Sequence, residues 1–535
     1  MRARSALILA ALLAWPGAAP AVTATIAEGV VYLETDGRPG RGPDEPGVAG
    51  VLVSNGRELV RTDAQGRYRL AVAQGQTVFV VKPEGYRFPA RANGLPDFWK
   101  HYFPEGSPPL RYGGIAPTVP EHWDFALERA PATPAHGFEV LVFSDTQVKN
   151  LRDVDYYLRD VVLPLAGRHA ATFGTTLGDL VNDDMSLYGA LDAVTGRLGV
   201  PWFPVPGNHD VDQDATRDED AGLSWRNAYG PDTYALEEGG ASFVFMDDVV
   251  HLPGQRPSYI GGLREDQFAF LEAYLATLPP ERLVVLGFHI PLFDEDGRET
   301  FRHADRERLF TLLARFPRVL VLSGHNHTQR HYYHGPAEGW HGAAPLHEYN
   351  VGAVCGAFWS GAPDAKGIPD TTMADGTPNG HALLRVAADG SYALEWHPAR
   401  VPQDDPTFTR AMALHAPRAL RRGAYPSYGV YANVFMGDDG TEVEYRIDGG
   451  PWRPMRRVER PDPRLVLENV ADDLAETPRG YDRSPEARPS MHLWRGVLAT
   501  DLAPGEHHVE VRARGRWVGQ AAASTTYRLV EVAAD

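Results

Sequence analysis

The chain has 535 residues, 43% of them hydrophobic and 23% charged, and its formal net charge is −18. That balance is globular rather than disordered, and the acidity excludes a broad nucleic-acid surface, which needs a basic patch against phosphates. The length predicts about three domains, and 54 Gly with 44 Pro predict many turns between short elements.

Arg2 and Arg4 precede an uncharged run from Ser5 to Trp15, and small residues follow to Ala24. This is the pattern of a cleaved export signal over 1–24, and its apolar run is too short to span a bilayer. The chain is expected to be exported, periplasmic or secreted, with no membrane span. Its one cysteine, Cys355, cannot form an internal disulfide, so stability is expected from cores, metals or both.

Residues 25–133 alternate short apolar runs with turn residues: GVVYLE, AGVLVSNG, LVRTDAQGRYRLAV, TVFVVKPEGY. The period of two predicts antiparallel β-structure. These runs resemble a transthyretin-like, Ig-like β-sandwich. Pro131 to Pro134 reads as a linker. From 136 to 400 strand-length runs alternate with helical stretches, which predicts α/β layers. Helices are expected near 154–165, 186–198, 263–278 and 305–316, and the final strands add antiparallel members. Residues 401–424, rich in Pro, Arg and Ala, read as a linker, and 425–535 as a second β-sandwich. The charged stretch from Ala471 to Pro489 reads as a surface loop.

The apolar runs of the 136–400 region end in acids and histidines: Asp145 (SDTQ), Asp179 (GDLVNDD), Asn208, His209 and Asp210 (GNHD), His289 (FHIPLF), His325 and His327 (GHNH). Ligands of open α/β sheets sit beyond the carboxyl ends of strands, so these side chains are expected to converge. Asp, Asn and His together suit a divalent cation. Glycine before Asp179, Asn208 and His325 is expected to let the backbone turn sharply at each strand end.

The ordered set D-x-Q, GD, GNHD, H-x-P and GHNH resembles the calcineurin-like metallophosphoesterases, over roughly Val140 to Pro398. The flanking β segments resemble companion domains of a bacterial branch of that family. The resemblance implies a four-layer α/β/β/α sandwich between two β-sandwiches, acting as a metal-dependent phosphoric ester hydrolase. It implies two divalent ions, Mn, Fe or Zn. Asp145 and His327 would bind the first, Asn208, His289 and His325 the second, and Asp179 would bridge them. It also implies a bridging water as nucleophile and His209 as the catalytic histidine. The substrate class is a small phosphoester or a cell-envelope phosphate.

Two positions depart from the family. Gln147 stands where a histidine is usual and offers the first metal only a neutral carbonyl, which favours Mn or Fe over Zn. Asn182 stands where an aspartate usually orients the catalytic histidine, leaving Asp183 or Asp210 to do so. Asp210 is grouped with His209 as catalytic, and Asn182, Asp183 and Trp359 are placed against the substrate, with Tyr259 and Phe358 beside them. His331, His334, His341 and His347 are expected to be solvated or core-satisfied, and Asp248 structural. The competing expectation is a non-catalytic, metal-bearing envelope scaffold that lost activity through Gln147 and Asn182.

Overall fold

A computed structural model describes residues 25–531, except 39, 294–298 and 427; the expected signal 1–24 lies outside the described residues. Among the described residues no helix is long and apolar enough to cross a membrane.

The N-terminal unit consists of two four-stranded sheets. Thr25–Leu33 pairs antiparallel with Arg67–Val72 and parallel with Phe125–Arg129. In Arg67–Val72 the side chains of Tyr68, Leu70 and Val72 point inward, as the period of two requires. The second sheet is built on Leu52–Ser54 and Gln76–Val80.

The central region is a four-layer α/β/β/α sandwich. One sheet runs Ala171–Thr176, Phe138–Phe143, Gly380–Val386, Tyr392–Pro398, with its first pair parallel. The other has six strands, of which Ala241–Met246, Leu283–Gly287, Val319–Ser323 and Leu346–Asn350 pair in parallel. Leu283–Gly287 and Val319–Ser323 are buried at every position, which is why they read as continuous apolar runs. Phe138 and Phe173 of one sheet meet Phe243 of the other at ring separations of 6.0 and 5.1 Å. On the opposite face of the first sheet, Phe143 meets Tyr157 of the helix Leu151–Tyr157. Asn150 caps that helix, its side chain accepting from the backbone N–H groups of Arg152 and Asp153.

The C-terminal unit is a second β-sandwich, and the stretch expected to be a linker is part of it. Met412–His415 pairs with Gly429–Val434, and Ala419–Arg421 pairs with Gly519–Val530. Met412, Leu414 and Leu420 join its apolar core. The stretch 401–424 is thus corrected: its strands of three and four residues are too short to show a period among Pro and Arg. The stretch expected as a loop from Ala471 begins inside a helix, Pro463–Asp473. His347 bonds to His331 and Tyr392 and His334 to Glu348, so these two are core-satisfied, and His341 is exposed. Half-buried His331 stacks on Trp517 but leaves its Nε2 without a hydrogen-bond partner among the described residues.

One apolar core runs through the N-terminal and central units, taking in Val78, Phe79 and Phe98 together with Phe203, Tyr234 and Phe270. Across that seam Lys82 Nζ lies 2.8 Å from Glu238 Oε2 and 3.0 Å from the Glu237 carbonyl, with both side chains under 8% exposed. Lys82→Met would strand the Glu238 carboxylate in the core. The expected cost is about 3–5 kcal/mol by denaturant unfolding, partly recovered in the Lys82→Met/Glu238→Leu pair.

Candidate metal centre

The expected ligands converge at the carboxyl ends of the central strands. Asp145 follows Phe143, Asp179 follows Thr176, His289 follows Gly287, and His325 and His327 follow Ser323. Side-chain atoms of Asp179, His289 and His325 lie within 4.8 Å of one another. His289 Nε2 is the focus: Asn208 Oδ1 is 3.1 Å away, Asp179 Oδ2 3.2 Å, and His325 Nδ1 3.1 Å.

These donors fit a cation. His289 Nδ1–H donates to the Leu177 carbonyl at 2.8 Å, which fixes the tautomer and turns the Nε2 lone pair toward the others. A carboxylate, an amide carbonyl and two ring nitrogens then face one another with too few hydrogens to join them all. A second focus lies alongside. His327 Nδ1–H donates to the Gly356 carbonyl at 2.7 Å and turns Nε2 toward Asp145 Oδ1, 3.3 Å away. Asp145 Oδ1 is buried and accepts no hydrogen bond from a described residue. Gln147 packs between the two, with Nε2 3.4 Å from Asp179 Oδ2 and Oε1 3.8 Å from Cys355 Sγ.

Burial opposes charge on His289, yet Asp179 and then Asp145 outweigh it and push its pKa up to about 10. Burial raises the Asp179 carboxyl, but His289 and His209 carry it below the usual carboxylate range. His325, desolvated beside His289, falls to about 4. The pocket's field therefore favours positive charge at His289 and ionised carboxylates around it.

The local backbone explains the geometry. Eight of the ten described non-glycine residues with positive φ lie at or beside this site: Asp145, Gln147, Asp179, Asp183, His325, His327, Phe358 and Trp359. Left-handed backbone in such residues is strained and persists where the surrounding structure enforces it. Among the three glycines expected to turn the chain, only Gly178 has positive φ. Gly207 and Gly324 serve close approach instead: a Cβ would strike the Asp179 amide in one case and the Ser144 hydroxyl in the other.

His209 sits at the mouth. Its backbone N–H donates to Asp179 Oδ1 at 2.8 Å, and its Nδ1–H donates to Asp183 Oδ1 at 2.9 Å. Burial opposes protonation of its ring, but the Asp183 hydrogen bond and the Asp179 charge raise its pKa. Asp183 thus orients the histidine. Tyr112 of the N-terminal unit donates its hydroxyl to the Asp183 carbonyl at 2.7 Å.

Three expected roles need correction. Asp210 is fully buried and turned away from the cleft, accepting from the N–H groups of Leu180 and Gly207 and from the Tyr188 hydroxyl. It ties two ligand loops together and does not touch His209 in any hydrogen bond. Asn182 contributes its backbone N–H to the Val148 carbonyl and does not line the cleft. Trp359 is buried and donates Nε1–H to the Thr146 carbonyl, bracing the Asp145 loop rather than meeting substrate. Its neighbour Phe358 is 44% exposed and lines the cleft with Tyr259. Asp248, expected as structural, accepts from the N–H groups of His289 and Ile290.

The cleft holds about 360 Å³. Its walls include Gln147, Asp179, Asn208, His209, His325 and His327, and also Glu486 and Arg488. Sequence reading missed these last two. They come from the C-terminal unit, and no motif marks them.

Three family models match the chain in succession. They are the N terminal of Calcineurin-like phosphoesterase over 39–109, Calcineurin-like phosphoesterase over 138–329, and the C terminal of Calcineurin-like phosphoesterase over 348–520. A probable glycerophosphodiester phosphodiesterase of Arcobacter nitrofigilis is 28% identical over 138 residues, 24% of this chain and 46% of that protein. The chain thus spans under half the length of that curated relative. Among solved structures, a purple acid phosphatase of yellow lupin (Lupinus luteus) aligns over 66% of this chain and 69% of its own, at 13% identity and a TM-score of 0.37. A cold-active protein-tyrosine phosphatase of a psychrophilic Shewanella aligns over 65% and 98%, at 12% identity and a TM-score of 0.22.

Proposed function

Since the chain belongs to the calcineurin-like phosphoesterases, metal-dependent phosphoric ester hydrolases with N- and C-terminal companions, we propose that it is an exported dinuclear enzyme acting on a small phosphoester. The observation that carries the dinuclear reading is a second donor pair, Asp145 and His327, beside the first set: the His325 N–H donates to Asp145 Oδ2 at 3.1 Å, and Asp145 Oδ1 accepts no hydrogen bond from a described residue. Asn208, His289 and His325 would hold one ion and Asp145 and His327 the other; the Gln147 carbonyl would join the second only with its amide turned, since Nε2 faces Asp179 and Oε1 faces Cys355. Divalent ions there supply activation of water and neutralisation of phosphoryl charge.

The chain's own groups do the rest. Asp179, its pKa carried below the usual carboxylate range by His289 and His209, would supply the negative charge that two bound cations require. His209, held by Asp183 and raised in pKa, presents Nε2–H to the leaving oxygen and donates its proton as the ester bond breaks. Tyr259 and Phe358 stand over the ligand histidines, their rings 5.9 Å from His325 and 4.8 Å from His327, and shield the site from water on that side.

The test is turnover of p-nitrophenyl phosphate and bis-p-nitrophenyl phosphate by full-length protein with Mn²⁺, Fe²⁺ or Zn²⁺. Hydrolysis with about two ions per chain supports the reading; fully loaded protein that hydrolyses neither ester overturns it. The ratio of the two rates assigns monoester or diester preference. Gln147→His would replace a neutral amide with an imidazole nitrogen beside Asp179. It is expected to slow chelator stripping of one ion by about tenfold, read as metal retained against time in EDTA.

A further inference from the structure

We propose that Arg488, brought to the cleft by the C-terminal unit, binds the anionic oxygens of the substrate phosphoryl group. The inference rests on the hydrolase reading above and names a residue that reading did not supply.

The segment carrying Arg488 is fixed against the central domain. Arg488 N–H donates to the Ala374 carbonyl at 2.8 Å, and Gly361 N–H donates to the Asp482 carbonyl at 2.8 Å. Both Ala374 and Gly361 belong to central-domain loops. From the other side, Asn469 on the helix Pro463–Asp473 accepts from Ala487 N–H at 2.9 Å and donates to the Pro485 carbonyl at 2.8 Å. Residues 482–488 are therefore stitched across the cleft mouth through their main-chain groups, to the backbone at Ala374 and Gly361 and to the Asn469 side chain, independent of the Arg488 side chain.

That side chain is uncommitted while its neighbours are not. Arg479 pairs with Glu468 and Asp472, and Arg483 pairs with Asp473. The Arg488 guanidinium has no hydrogen bond or ion pair with a described residue, and it lines the cleft beside Asp179, His209 and His325. It is the only Lys or Arg among the described lining residues. The segment after the GD motif offers Asn182, Asp183 and Asp184, none of them cationic. A phosphate ester entering this acidic chain thus meets one organic cation on a backbone held in place, with the Glu486 carboxylate in the same wall, and its planar fork matches two phosphoryl oxygens. The dianion of a monoester gains more from it than the monoanion of a diester. Phe358, 44% exposed and held at φ +66°, offers an apolar face to the organic part of the ester.

The experiment compares wild type, Arg488→Ala, Arg488→Lys and, as a control outside the cleft, Arg483→Ala, all full length and Mn²⁺-loaded. Arg488→Ala is expected to raise KM for p-nitrophenyl phosphate, and the orthophosphate inhibition constant, by about tenfold with kcat changed less than about threefold. Arg488→Lys should recover part of the loss, the rise should be smaller for bis-p-nitrophenyl phosphate, and Arg483→Ala should match wild type. Unchanged KM and phosphate inhibition in Arg488→Ala overturn the proposal while leaving the hydrolase reading intact. Should wild type turn over neither ester, the hydrolase reading fails. Calorimetric orthophosphate affinity of the metal-loaded proteins then decides the role of Arg488 alone: a tenfold loss supports it, and equal affinity overturns it.

Discussion

Asp179→Asn is expected to lower kcat/KM by at least about a thousandfold and to reduce bound metal by about one ion per chain. The substitution keeps the shape and one carbonyl oxygen, so the His209 backbone N–H that now bonds Oδ1 at 2.8 Å retains an acceptor. What disappears is the negative charge next to His289 and Gln147, where Oδ2 lies 3.2 and 3.4 Å from their nitrogens. Two cations held by these donors would repel each other, and a neutral amide would not offset that repulsion. Metal analysis alongside steady-state kinetics checks the outcome. Full retention of both ions with wild-type kcat/KM would remove Asp179 from the bridging role.

The second large effect falls on His209. His209→Ala is expected to lower kcat by about 10²–10⁴-fold with bound metal unchanged, because the imidazole bonds Asp183 and hydrogen-bonds no described ligand side chain. The loss should be greater for an alkyl phosphate than for p-nitrophenyl phosphate, whose leaving oxygen needs no proton. Asp183→Asn should fall between the variant and wild type, since it keeps a hydrogen-bond acceptor and loses the charge that raises the ring's pKa. Equal losses with good and poor leaving groups would exclude proton donation by His209.

Asp145, Asp179, His289, His325 and His327 were legible because each follows an apolar run that is a buried strand, and the strands of the two packed sheets end at one rim; Asn208 follows a run held only by isolated bridges at Trp202 and Val205. Roles that depend on which way a loop residue faces were not legible. Asp210 follows His209 in the chain, yet the GNHD turn sends the two side chains to opposite sides, and the inward one finds the N–H groups of Leu180 and Gly207. Asp183 wins the histidine by adopting φ +67°, a conformation that no pattern of hydrophobicity announces. Trp359 was legible as an aromatic near the cleft, but its indole N–H needed an acceptor, and the Thr146 carbonyl supplies it in the interior. Arg488 left no trace in the sequence because its distinction is negative: nearby arginines have carboxylate partners and it has none. That becomes visible only once Asp472, Asp473 and Glu468 are seen in place. The short strands at 412–421 were hidden because three or four residues do not establish a period.

The continuity of apolar packing between the first β-sandwich and the catalytic layers limits how the protein can be dissected. A clone trimmed to the segment from 136 to 400 would leave Phe203, Tyr234 and Phe270 facing water where Phe98 and Phe79 now lie against them. It would also leave Glu238 without its ammonium partner. Such a fragment should accumulate as insoluble material, so a truncation survey would score it inactive for reasons unrelated to catalysis.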